Sequence, residues 1–101
     1  MNNKTSLARE QIVEIVDEII DLLLKKNQDY GSASFDLGTN GNMVHIWDKA
    51  KRYKTLVEKH LFQKEAAPNF ESIRDTLKDI IGYAIIGIVI LDKGAQSGIH
   101  E

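Results

Sequence analysis

The sequence contains no cysteine and a single proline, and neither acidic nor basic residues are in large excess. Without cysteine there can be no disulfide, no thiolate nucleophile and no cysteine-ligated zinc site. The 13 Lys and Arg residues against 15 Asp and Glu residues leave a net charge of −2. Non-specific binding to nucleic acid or to anionic membranes usually needs a strong basic excess. We therefore expect neither a membrane partner nor direct nucleic-acid binding.

Long apolar stretches are also absent. The longest, Ile80–Leu91, has twelve residues, whereas a bilayer-spanning helix needs about 20. The first residues are polar and lead into an acidic segment, which is unlike a secretory signal. We expect a cytoplasmic protein. A length of 101 residues suits one domain, so residues 1–101 are predicted to form a single helical unit.

Apolar residues recur with the 3.6-residue period of an amphipathic helix in three segments. The fold class predicted is all-α, with three helices at about 6–27, 42–62 and 70–93 and a frayed tail over 94–101. Ser6 and Asn69 are the expected N-caps. The fourteen residues Gln28–Gly41 include three glycines and are expected to form a long ordered loop.

The second predicted helix has an apolar side and a basic side. Its apolar stripe, expected to face the core, consists of Met43, Ile46, Trp47, Ala50, Tyr53, Val57 and Leu61. His45, Lys49 and Arg52 share a face away from that stripe. A lysine and an arginine so spaced can hold a phosphate. The alternatives are a solvated face or ion pairs with acids of the other helices.

The third helix becomes apolar on every side from Ile80 to Leu91, and such a helix must be surrounded by other elements. Two partner helices cannot do this, so we predict a homo-oligomer that packs through Ile80–Leu91. Ala84 and Gly87 would allow close approach between the helices of two copies.

Acidic residues follow helical spacing on the first and third helices. Glu14 and Asp17 lie on the first, and Asp75 and Asp79 on the third. Carboxylates on one helix face can bind Mg²⁺. The alternatives are a solvated acidic face on the first helix and salt bridges on the third.

Three strings occur in order: KKNQDYG at 25–31, WDKAKR at 47–52 and ESIRDTLKDIIGYA at 71–84. Over about Leu22 to Leu91 the chain resembles the nucleotide modification associated domain, type one, a family common in phages and their hosts. His45 departs from the arginine often found in that family, and Gly82 from the usual asparagine. The positions that match the motifs of the family are Asp29, Tyr30, Gly31, Asp48, Lys49, Arg52, Asp75, Asp79 and Tyr83.

The third string also looks distantly like MazG-type all-α nucleotide pyrophosphohydrolases, which hold magnesium with acidic motifs on two helices. The resemblance to the nucleotide modification associated domain implies a phosphorylated nucleotide as ligand, held in a polar cleft at or near a subunit interface. Sequestration of a host immune nucleotide signal is one use, in the host cytoplasm if a phage encodes the protein. Lys49 and Arg52 would hold the phosphate and Tyr30 or Tyr83 the base, within a ligand-binding set of Asp29, Tyr30, Gly31, His45, Asp48, Lys49, Arg52 and Tyr83. The alternatives are a magnesium-dependent pyrophosphohydrolase, with Glu14, Asp17, Asp75 and Asp79 as metal ligands, and a structural oligomer without ligand. Binding without catalysis is favoured, and no cofactor beyond a possible magnesium ion is expected.

Overall fold

The computed structural model describes residues 6–30, 35–62 and 70–96, which form three helices. These are α1 (Arg9–Tyr30), α2 (Gly38–Phe62) and α3 (Phe70–Gln96). No strand occurs in these ranges, so the all-α prediction is confirmed. Within the same ranges, no helix combines the length and the apolarity needed to cross a bilayer.

The first helix begins and ends later than the sequence predicts. Its first turn is closed by amides of Gln11 and Ile12, which donate to the Ala8 carbonyl at 3.1 and 3.2 Å. The Ala8 amide in turn donates to the Gln11 side-chain oxygen at 3.4 Å. Ala8 therefore occupies the N-cap position that was expected for Ser6, and the Gln11 side chain closes back as in a capping box.

The connection between α1 and α2 is much shorter than fourteen residues, because both helices extend into it. Gly38 opens α2 with a φ of 63°, a left-handed conformation that favours glycine. Gly41, which looked like part of a loop, donates its amide to the Leu37 carbonyl at 3.2 Å. Its missing side chain leaves room for that of Leu37. These glycines are packing positions at the start of a helix, so the long-loop prediction is wrong.

The third helix runs through Gly94 to Gln96 rather than stopping at Lys93. The predicted cap, Asn69, and the end of the predicted tail, residues 97–101, lie outside the described residues.

α3 is the central element. α2 packs along it extensively, α1 packs on it less, and α1 does not pack directly on α2. Few side chains are buried, chiefly Ile19 of α1 with Thr76 and Ile86 of α3. The radius of gyration is 16.5 Å, compared with about 13 Å for a compact chain of this length.

The face that α2 turns towards α3 overlaps only partly with the one predicted. Met43 and Trp47, expected in the core, are 61% and 60% exposed. Three polar side chains point towards α3 instead, and each forms a hydrogen bond or an ion pair with an α3 group. They are Asn42, Lys49 and Arg52. Polar contacts, rather than the apolar stripe, thus set the rotation of α2 within a single chain.

A small residue allows α2 and α3 to approach closely at one point. The Asn42 side-chain amide donates to the Tyr83 carbonyl at 2.7 Å. A Cβ on Gly87 would lie 2.5 Å from the Asn42 side-chain oxygen. Gly87, predicted to serve contacts between copies, is therefore used inside the chain.

Candidate functional site

Side chains from all three helices meet around Asp79 of α3. The ammonium of Lys26, from α1, lies 3.6 Å from Asp79 Oδ1, and that of Lys49, from α2, lies 3.4 Å from Oδ2. Each carboxylate oxygen thus faces a lysine from a different helix. The three side chains are only 24–35% exposed, so the charges are partly shielded from solvent and attract more strongly than on an open surface.

Next to this triad lies an aromatic pair. The rings of His45 and Tyr83 stack with centroids 4.8 Å apart and planes within 4° of parallel. The Lys26 ammonium lies 5.6 Å from the centroid of the Tyr83 ring, within cation–π range. The Asp79 cluster, as we call Lys26, His45, Lys49, Asp79 and Tyr83, therefore combines two cations, one carboxylate and a ring stack.

The cluster borders a cleft between α1 and α3 with a volume of about 230 Å³. We call it the polar cleft. Lys26, Asp79 and Tyr83 supply its polar wall. Its apolar wall comes from Leu22, Leu23, Gly82 and Ile86. A Cβ on Gly82 would lie 3.3 Å from the Leu23 side chain, so a larger residue at this position would narrow the cleft.

Arg52 lies farther along α2 and is held by α3. Its Nε donates to Thr76 Oγ1 at 3.2 Å, and that hydroxyl donates to the Ser72 carbonyl at 2.8 Å. Arg52 bonds to Thr76 through Nε alone. The two terminal nitrogens of its guanidinium group can therefore donate to another acceptor. Arg52 and Asp48 also line a shallow groove of about 410 Å³ beside Trp47, outside the polar cleft.

The acids predicted as a metal set do not come together. Asp79 is neutralised by two lysines, whereas Asp75, 59% exposed, pairs with Lys78 at 3.6 Å. Glu14 and Asp17 are exposed on α1. Among the residues that the structure describes, no three His, Asp or Glu side chains are grouped to hold a metal ion. The donors present there do not fit a magnesium centre.

The acid of α1 that does face α3 is Glu18. Its two oxygens accept hydrogen bonds from the two terminal nitrogens of Arg74 at 2.9 and 2.6 Å, and Lys78 lies 3.6 Å away. The hydrogen bonds from Arg74 lower the pKa of Glu18 from 4.5 to about 2. This bidentate pair fastens α1 to α3.

The structure thus joins four of the predicted site residues, His45, Lys49, Asp79 and Tyr83. Asp29 is exposed in the last turn of α1, and the Tyr30 side chain and Gly31 lie outside the described part.

Sequence reasoning missed two contributors, Lys26 and Thr76. Neither residue was assigned a role from the sequence, although Lys26 lies in the string KKNQDYG and Thr76 in the string ESIRDTLKDIIGYA. The position of Lys26, three and four residues after Leu23 and Leu22, was the available signal, since it puts the ammonium on the face that packs on α3.

Comparison with known proteins adds one finding. The sequence pattern of a family described as nucleotide modification associated domain 1 matches residues 26–91. The matched region begins at Lys26 and contains all the residues of the Asp79 cluster. No curated protein and no solved structure matches the chain significantly, and the distant likeness to MazG-type enzymes stays a prediction. With well over half of its length matched, the chain belongs to the nucleotide modification associated domain 1 family.

Proposed function

We propose that the protein binds a phosphorylated nucleotide at the Asp79 cluster and does not hydrolyse it. The observation that carries this proposal is the convergence of Lys26 and Lys49, from two helices, on one carboxylate beside a cleft. An ammonium has three N–H donors, and separations of 3.4–3.6 Å leave donors of both lysines for a phosphate.

Asp79 has a positioning role in this proposal. It holds the two ammonium groups near each other without a ligand, which lowers the ordering cost of binding. A phosphate entering the polar cleft would share the two lysines with Asp79. Binding without hydrolysis is favoured because Asp75 and Asp79 each pair with lysine, and no three acids of the described residues are grouped for a metal.

The test is binding of radiolabelled nucleotides to the purified protein, followed by chromatography of the recovered ligand. Lys49→Ala should weaken binding about tenfold or more, since a hydrogen bond to a charged group contributes about 1.5–3 kcal/mol. Lys51→Ala is the matched control. It removes the same charge from the same helix, but its ammonium lies over the Trp47 ring, 4.8 Å from the centroid.

Equal affinity of the two variants would contradict the proposal. Recovery of a hydrolysed nucleotide in the presence of magnesium would favour the pyrophosphohydrolase alternative. If the protein binds a nucleotide without turnover, the next cellular role to test is sequestration of an immune nucleotide signal by a phage protein.

We also infer that the protein forms a homo-oligomer through α3. Ile81, Ile85, Ile88 and Leu91 are 38–58% exposed in the single chain, and α1 leaves Ile12, Val13, Val16 and Ile20 40% exposed or more. The total accessible surface is 8081 Å², whereas a folded monomer of 11.4 kDa exposes about 5,800 Å². Exposure of this many large apolar side chains is typical of an interaction surface.

A further inference from the structure

A second cleft adjoins the polar cleft along the same pair of helices. It has a volume of about 170 Å³ and is lined by Leu23, Leu24, Phe35, Ile85, Ile86 and Val89, with Lys26 and Asn27 at its edge. We call it the apolar cleft. Leu23, Lys26 and Ile86 line both clefts, so the two form one groove with a charged end and an apolar end.

We propose that this groove selects a nucleoside monophosphate, with the phosphate at Lys26 and Lys49 and the base in the apolar cleft beside Phe35. This assignment rests on the proposed function and narrows it. Phosphate binding alone does not require the apolar end of the groove. Aromatic and aliphatic walls with one amide at the edge suit a heterocyclic base, which needs stacking surface and a hydrogen-bonding partner at its rim.

The size of the groove favours a single nucleoside unit. The two clefts together reach only the lower end of the roughly 300–1,000 Å³ of typical small-molecule sites. A cyclic dinucleotide carries two bases, whereas the apolar cleft beside Lys26 has a volume of only about 170 Å³.

The charge favours one phosphate over three. Lys26 and Lys49 face a ligand together with Asp79, whose carboxylate already offsets one of the two cations. A triphosphate carries more negative charge than a monophosphate, whereas the two lysines and Asp79 together present only one net positive charge. Its additional charges would then repel Asp79, and like charges placed together are costly.

The assignment can be tested by competition binding at constant ionic strength without divalent cations. The probes are inorganic phosphate, a free nucleoside, a set of nucleoside monophosphates and triphosphates with each base, and a cyclic dinucleotide. The best monophosphate should bind at least about tenfold more tightly than phosphate, the nucleoside, the matching triphosphate or the cyclic dinucleotide.

A substitution then locates the base. Val89→Phe should fill the apolar cleft and reduce the affinity for the monophosphate to that for inorganic phosphate, while leaving phosphate binding unchanged. Val44→Phe is the matched control, because Val44 is 55% exposed on α2 and lines neither cleft; it should bind as the wild type does.

Three outcomes would overturn the assignment. If the triphosphate or the cyclic dinucleotide binds most tightly, or if Val89→Phe retains the affinity for the monophosphate, the base and charge arguments fail while nucleotide binding at the Asp79 cluster stands. If neither phosphate nor any nucleotide binds, both the assignment and the proposed function fail.

Discussion

At the scale of single residues, Gly87 fixes how closely α2 can approach α3. Asn42 sits against it and donates to the Tyr83 carbonyl at 2.7 Å, one turn of α3 before Gly87. Tyr83 is also the ring on which His45 stacks. The Gly87 contact therefore helps to hold the aromatic pair of the Asp79 cluster in place.

A double-mutant cycle tests this contact. Glycine to alanine within a helix normally gains about 1 kcal/mol, but at Gly87 the added Cβ would meet the Asn42 side-chain oxygen at 2.5 Å. Gly87→Ala should therefore stabilise an Asn42→Ala background and be neutral or destabilising in the wild type. The expected coupling is about 1 kcal/mol, measured by urea denaturation. Additive effects would show that Asn42 moves aside freely.

The Asp79 cluster was only partly predictable from residue types. His45 and Lys49 follow from helical spacing, since residues three and four apart share a face. Lys26 does not follow, because its use depends on how α1 lies on α3, which is a tertiary property. The partners of Asp75 and Asp79 could not be predicted for the same reason, because these residues share a face of α3 yet pair with lysines of different helices.

At the scale of elements, the three helices were predictable because each contains an apolar period of 3.6 residues. The connection between α1 and α2 was not, because Gly38 and Gly41 were interpreted as helix breakers. The orientation of α2 was predicted only in part for a related reason. Sequence periodicity cannot tell a solvated charged face from one whose charges pair with a neighbouring helix, as those of Lys49 and Arg52 do.

The attachment of α1 to α3 depends unusually strongly on charge. Ile19 is the only α1 side chain among the described residues that is fully buried. Glu18 pairs with Arg74 and Lys78, and Lys26 pairs with Asp79. Both clefts lie between these two helices, so the ion pairs also maintain the candidate site.

A pH titration tests the Glu18 contact. Its pKa falls from 4.5 unfolded to about 2 folded, chiefly through the hydrogen bonds from Arg74. A depressed folded pKa means that the contribution is present above pH 4.5 and is lost as the pH falls towards 2. The wild type should exceed Glu18→Gln in free energy of unfolding near pH 6, and the difference should shrink progressively below pH 4.5.

Glu14→Gln is the matched control, since Glu14 is exposed one turn earlier on α1. Its difference from the wild type should show no comparable decline. A difference between the wild type and Glu18→Gln that is constant from pH 6 to pH 2 would mean that the ion pair does not contribute to the attachment of α1.

At the scale of the whole molecule, one chain leaves much of its apolar surface uncovered. Large apolar side chains are exposed on all three helices, including Val16 on α1, Trp47 on α2 and Ile88 on α3. Burial of such a side chain contributes about 1.5–3 kcal/mol. A chain that exposes this many has a strong driving force for self-association, which is why the apolar segment Ile80–Leu91 is the proposed contact between copies.

The structure identifies the substitution that tests this association. Ile86 is 9% exposed and belongs to the core of the single chain, whereas Ile88 is 58% exposed. Ile86→Asp would therefore unfold the chain whether or not it associates. Ile88→Asp should instead reduce the mass measured by light scattering to that of a monomer, with helical circular dichroism retained.

Leu61→Asp is the control, because Leu61 is 55% exposed on α2. It makes a similar change away from α3 and should leave the oligomer intact. A wild-type protein that is monomeric at micromolar concentration would refute the proposed contact, and so would an Ile88→Asp variant with unchanged mass.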